Sequence, residues 1–331
     1  MLRTLLHTMP LFSLDYKAYS WTDLDPIPQN DGRNPLAPIA YSEQFKETMG
    51  LLRACMKKEE YSDRALALTG AVIDQNPAHY TVWEYRYQIL KRIGKSLIPA
   101  DQWFVADVEP PVVEIGTWLD DTCLDSPKNY QVWNYRQHLE VPGSLAFYRG
   151  EHAFVAIVLD DDSKNFHAWS HLKWTVRKGR EYFTTAEELK FSEQFLEEDI
   201  RNNSAWSYRY FVFDNDPKKP LTNSDRFREE VEFVQGKIDL APQNESAWNY
   251  LRGLYSKYQK DIGDLEGLCL QYASVSGELP EINSMYALEL LEDIYVKQGK
   301  VELADEALTR LENLVPMRKG YWNYKRRKLQ T

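Results

Sequence analysis

SPKNYQVWNYRQ occupies residues 126–137 and DSKNFHAWSHLK occupies residues 162–173. Both carry Lys-Asn-aromatic just ahead of a tryptophan, Trp133 in the first and Trp169 in the second. Working outward, tryptophan recurs at 83, 133, 169, 206, 248 and 322, with gaps of 50, 36, 37, 42 and 74. A period in the thirties marks stacked helical hairpins, none of which buries its apolar face alone. The last gap is twice 37, which predicts one degenerate unit lacking the tryptophan.

Each tryptophan lies early in a helical pattern. One residue before it, then two and six after, stand Val82, Tyr85 and Ile89; Val132, Tyr135 and Leu139; Ala205, Tyr208 and Val212; Ala247, Tyr250 and Leu254. Offsets of three and seven put these on one helical face. A second amphipathic segment precedes each, as in residues 62–77 and 224–244, with Pro or Asn at the breaks. No useful period-2 strand is present. The prediction is an all-α superhelical solenoid of about seven antiparallel helix hairpins over 41–331. Residues 1–40, containing DPIPQNDGRNPLAP, read as an extended arm. The 14 extra residues in the first gap are expected near 98–113.

The 331-residue chain has 40 Lys and Arg against 50 Asp and Glu, a formal charge of −10. That balance argues against general attraction to nucleic acid or an anionic membrane, and against a repeat protein that reads RNA. The longest apolar run, residues 153–159, is too short to span a bilayer. The N-terminal segment lacks the pattern of a cleaved signal. Cys55, Cys123 and Cys269 have no metal-ligand spacing, and their odd number gives no disulfide framework, so a reducing, cytoplasmic setting is expected. The basic run YKRRK, 324–328, reads as decoration of a terminal helix.

Comparing units separates scaffold from chemistry. Four residues before tryptophan stand His79, Asn129, Asn165, Asn202 and Asn244, which fits an N-cap. The neighbouring positions vary. Two adjacent units supply Lys128, Tyr130 and Gln131, then Lys164, Phe166 and His167, at helix N-termini about 10 Å apart in such a stack. Two lysines, an imidazole and a phenol beside helix dipoles suit a phosphate or carboxylate, and Gln131 can donate its amide to a carboxylate. The alternative is that Lys128 and Lys164 are ordinary solvated lysines. The run DDDSK, 160–164, is read as a solvated helix end rather than a metal site. His171 replaces Tyr at an inward position and is assigned to the core.

At these residues the chain resembles the α subunits of protein prenyltransferases. PKNYQVWNYR (127–136), KNFHAWSH (164–171), RNNSAWSYRYFV (201–212) and PQNESAWNYL (242–251) look like successive repeats of that family, in order. DLDPIPQNDGRNP (23–35) resembles its N-terminal approach segment. The likeness runs from about residue 12 to the C-terminus and is nearest to the branch shared by farnesyltransferase and geranylgeranyltransferase type I. The Rab-specific α subunit and a purely interacting repeat scaffold are the alternatives. The resemblance implies a helical scaffold around a catalytic β subunit that binds zinc, with magnesium accompanying the diphosphate. It implies transfer of farnesyl or geranylgeranyl from its diphosphate to a Cys in the C-terminal CaaX motif of proteins such as small GTPases. By the same resemblance Lys128 meets the departing diphosphate as a catalytic contact. Tyr130 and His167 lie beside that diphosphate, and Lys164 is added to the diphosphate site from the comparison of units. Gln131 binds the peptide carboxylate, and Asn129 and Asn165 cap the helices near the site. Phe166 stands where the family usually has Tyr, so no polar role is assigned to it.

Overall fold

The computed structural model describes residues 15–37, 39–93, 110–140, 142–215, 224–275 and 284–329, with backbone alone at 110–117 and 224. All regular structure among the described residues is helical, and the chain divides into two compact units, Met1–Phe183 and Thr184–Thr331. In the first, α1 (Glu43–Lys57) packs on α2 (Asp63–Gln75), and three hairpins follow. They pair α2 with α3 (Tyr80–Arg92), α4 (Pro110–Asp125) with α5 (Tyr130–His138), and α6 (Leu145–Asp161) with α7 (Phe166–Lys178). The second helices stack, α3 on α5 and α5 on α7. The other unit pairs α8 (Thr185–Glu198) with α9 (Asn203–Asp214) and α10 (Ser224–Leu240) with α11 (Glu245–Lys257). It continues with α12 (Glu266–Tyr272) on α13 (Met285–Lys297) and α14 (Val301–Leu314) on α15 (Lys319–Lys328), while α9, α11 and α13 stack in turn. The all-α hairpin architecture is thus the one the tryptophan period predicts. The expected site of the extra residues in the first gap, 98–113, lies mostly outside the described residues.

Capping chemistry alternates along the chain. Ser62, Ser144 and Thr184 cap the first helices of three hairpins. Asn129, Asn165, Asn202 and Asn244 cap the second helices, each side-chain oxygen accepting a first-turn N–H. His79, at the same position before α3, makes no such bond. Five of the repeat tryptophans are buried with the indole N–H donating to the carbonyl six residues earlier. The pairs are Trp83 to Pro77, Trp133 to Pro127, Trp169 to Ser163, Trp206 to Ile200 and Trp248 to Pro242, at 2.8–2.9 Å. A buried N–H without a partner would cost about 1–3 kcal/mol, so the turn and the core residue specify each other.

Three of these carbonyls take a second donor from the following repeat. Asn165 Nδ2 reaches Pro127 O at 3.2 Å, Asn244 Nδ2 reaches Ile200 O at 2.7 Å, and Ser284 Oγ reaches Pro242 O at 2.6 Å. Ser284 also caps α13, which is the degenerate unit. There Leu288 takes the tryptophan position, and Ala287, Leu290 and Ile294 are buried on the inward face.

Outside one turn at Tyr16–Ala18, the described residues of the arm are not helical. Tyr16 and Leu24 are buried. Arg64 grips both oxygens of Asp23 at 2.6 and 2.7 Å and the Ser20 carbonyl at 2.8 Å. Ile27 N–H donates to Gly50 O at 3.0 Å. A Cβ on Gly50 would lie 3.0 Å from the Pro26 side chain, so glycine is what lets the arm approach α1. At the other end, Lys325 pairs with Glu292 and Asp293 and Arg326 with Asp305, and Lys328 lies over the Tyr324 ring, so most of the YKRRK cations are engaged within the unit.

Asn165→Ala removes a cap and a bond between repeats, whereas Asn129→Ala removes a cap. The first is expected to lower stability by about 1 kcal/mol more than the second, read from urea midpoints. Burial pushes the thiols of Cys55, Cys123 and Cys269 up to about 12. The folded protein should therefore resist a thiol-labelling reagent at pH 8 and react with all three cysteines once unfolded, which mass spectrometry will count.

Candidate functional site

The turns before α5 and α7 bring the sequence-predicted residues to one edge of the first unit. Capping commits part of each helix end. Gln131 N–H donates to Asn129 Oδ1 at 2.8 Å and Ala168 N–H donates to Asn165 Oδ1 at 3.0 Å. What remains for a ligand is mainly side chains.

Lys128 is 77% exposed at its side chain, and its ammonium lies 3.2 Å from Asp162 Oδ2 in the next turn. Tyr130 stands edge-on against His167, with ring centroids 4.3 Å apart and planes at 89°. Phe166 meets the same imidazole edge-on at 5.6 Å. Lys164 is exposed, and its backbone N–H donates to Asp162 Oδ1 at 3.2 Å. On the α3 side a groove of about 580 Å³ runs from Ala78 along the turn 125–131 and is lined in part by Lys128, Tyr130 and Gln131. Gln131 therefore faces the groove, and His167, itself backed by Phe166, lies against Tyr130.

Burial lowers the pKa of His167, although a bond to the Lys128 backbone carbonyl acts in the other direction. The balance favours the neutral imidazole.

Beneath the site lies a buried cluster that the sequence reading missed. Glu151 on α6 receives Arg136 of α5 through two bonds, 2.9 and 2.7 Å, and His171 of α7 at 2.6 Å. Burial alone would raise the Glu151 carboxyl, but Arg136 and His171 outweigh it and hold it below the usual carboxylate range. One carboxylate thereby ties α5 to α7, the helices whose starts carry the candidate residues. His171 is core, as its repeat position predicts. The second unit repeats the device, with Glu230 of α10 holding Arg209 of α9 and Tyr250 of α11. The available signal was a Glu eighteen residues before each of Trp169, Trp206 and Trp248. Among the described residues no group of three His, Cys, Asp or Glu is arranged to hold a metal ion.

A sequence model of the protein prenyltransferase alpha subunit repeat matches residues 62–93, 117–139, 148–179, 185–216 and 227–258. These segments coincide with five successive hairpins, from α2–α3 to α10–α11. The chain is 34% identical over 317 residues to the protein farnesyltransferase/geranylgeranyltransferase type-1 subunit alpha of Candida albicans, covering 94% of this chain and 97% of that one. With the subunit of the same name from Schizosaccharomyces pombe it shares 38% over 298 residues, covering 89% and 93%. The type-2 subunit alpha of Sus scrofa is 27% identical over 205 residues, covering 60% of this chain and 35% of that protein. Among solved structures, a chain of Candida albicans protein geranylgeranyltransferase-I complexed with GGPP superposes with a TM-score of 0.80 at 33% identity, covering 94% and 99%.

Proposed function

The chain belongs to the protein prenyltransferase α-subunit family, in the branch shared by farnesyltransferase and geranylgeranyltransferase type 1, and from that membership we propose how its corner residues act. In this reading it works in the cytoplasm as one half of a heterodimer. A β subunit holds the zinc and most of the isoprenoid pocket, and this chain contributes the rim that meets diphosphate and the peptide carboxylate. Near full-length likeness to type-1 subunits, against 60% coverage by the type-2 relative, favours CaaX substrates over Rab proteins.

The observation that carries the reading is the cluster of Lys128, Tyr130, Gln131 and His167 on two adjacent helix starts. A ladder of exposed aromatics supports a docked partner on the same edge. Tyr80, Tyr130 and Phe166, at one repeat position, are 70%, 69% and 68% exposed. Large exposed apolar groups in a row are usual at interfaces. This chain's thiols are buried and it offers no ligand cluster among the described residues, so zinc is assigned to the partner. Bound there, zinc would lower the substrate thiol's pKa. Magnesium would accompany the diphosphate and offset its charge.

In the reaction a carbon–sulfur bond forms at C1 of the isoprenoid while the carbon–oxygen bond to diphosphate breaks. Negative charge grows on the leaving oxygens. Lys128 Nζ donates to them and binds most tightly when that charge is greatest, which lowers the barrier. Tyr130 O–H adds a second donor. Gln131, beside the groove, donates its amide to the C-terminal carboxylate of the peptide. Lys164 adds positive field at the edge. His167 behaves differently. A neutral imidazole has a single N–H, so both of its nitrogens donate only after it gains a proton.

In the heterodimer, Lys128→Ala is expected to leave assembly intact and slow single-turnover transfer on the order of a hundredfold. An unchanged rate would reduce this chain to a scaffold. Diphosphate binding at pH 7 should draw a proton onto His167, because its unliganded pKa is depressed and the anion raises it. Calorimetry in buffers of different ionisation enthalpy should report uptake that His167→Gln abolishes; identical heats in all buffers would refute it.

A further inference from the structure

We propose that Asp162 is a positioning residue for Lys128, holding its ammonium when no diphosphate is bound and competing with diphosphate for it. The inference rests on the reading of Lys128 as the diphosphate contact.

Asp162 stands seven residues before Trp169. The same place is held by Asn76, Ser126, Asp199 and Ala241 before the other tryptophans. Its task in the turn is visible in three repeats. Asn76 Oδ1 accepts Ala78 N–H at 3.2 Å, Asp162 Oδ1 accepts Lys164 N–H at 3.2 Å, and Asp199 Oδ1 accepts Arg201 N–H at 2.9 Å. One oxygen suffices, and Asn76 shows that the turn needs no charge. The second oxygen of Asp162 does something the turn does not require. It reaches back across the stack to Lys128 Nζ, 3.2 Å away in the preceding repeat.

The two partners differ in stiffness. Asp162 is fixed by Lys164 N–H on its carboxylate and by Asn165 N–H on its carbonyl at 2.9 Å. Lys128 is a long stem with its side chain 77% exposed, against 31% for Asp162. The carboxylate is therefore the anchor and the ammonium is the part that moves. An ion pair this exposed is weak, so diphosphate can displace it. A stronger pair would keep Lys128 from the leaving group, whereas no pair would leave it dispersed in solvent. By reclaiming Lys128, the same carboxylate speeds the departure of diphosphate after transfer.

The measurement is inhibition of the heterodimer by inorganic diphosphate. Asp162→Asn keeps an oxygen for the turn, as Asn76 does, and Asp162→Ser copies Ser126. Both should lower the inhibition constant about two- to fivefold, the scale of one exposed ion pair, and more at low salt than at high. The effect should vanish in a Lys128→Ala background. An unchanged or raised constant in Asp162→Asn, with Lys128→Ala still weakening inhibition, would overturn the positioning role alone. Equal tightening with and without Lys128 would also overturn it, since the carboxylate would then act on diphosphate directly. If Lys128→Ala leaves inhibition unaltered, the underlying reading of Lys128 fails with it.

Discussion

A backbone carbonyl six residues ahead of the repeat tryptophan is the point on which the stack depends. It has two lone pairs, and in three repeats both are used. The tryptophan of its own hairpin takes one, and the cap of the following hairpin takes the other. Pro127 O thus joins Trp133 to Asn165, Ile200 O joins Trp206 to Asn244, and Pro242 O joins Trp248 to Ser284. Helix start, core filling and repeat spacing are therefore one constraint. The functional corner grows directly from it. Lys128 follows the Pro127 carbonyl, and Tyr130 and Gln131 follow the Asn129 cap. Side chains placed between two fixed backbone points inherit a defined origin while remaining outside the packed core.

A second constraint lies below. Glu151 and Glu230 occupy equivalent places, and each holds an Arg from the preceding second helix and a ring from its own hairpin partner. A buried carboxylate is tolerated only when such partners surround it, and removing one costs about 3–5 kcal/mol. These clusters give direction rather than much net stability. They oblige neighbouring helices to meet at one register. Under the functional edge the ring is His171 instead of Tyr, so the tie between α5 and α7 uses different chemistry in the same place.

Much of this was legible in the sequence because it repeats. Trp, its inward companions and the Asn caps are scaffold, and subtraction left Lys128, Tyr130, Gln131, Lys164 and His167 standing out. The degenerate unit was readable from spacing alone, although Leu288 for Trp and Ser284 for Asn needed coordinates to recognise. The buried Arg–Glu ties were missed because their members sit on different helices and charged residues ordinarily signal surface. Asp162 was hidden for a related reason. Within the acidic run 160–164 it resembles a solvated helix end, and nothing local connects it to a lysine 34 residues earlier.

That concealment bears on how an acidic chain handles a polyanion. With a net charge of −10, the chain as a whole does not attract diphosphate, and in the proposed function local cations do so. A bare cluster of lysines would hold the product as firmly as the transition state, and uniform binding does not raise turnover. In the proposed mechanism a carboxylate placed beside the lysine reduces ground-state attraction while leaving the cation available when charge develops on the leaving group. Asn at that place would satisfy the turn equally well, as it does at Asn76. On the proposed reading of Lys128, the charge on Asp162 therefore answers to the ligand rather than to the fold.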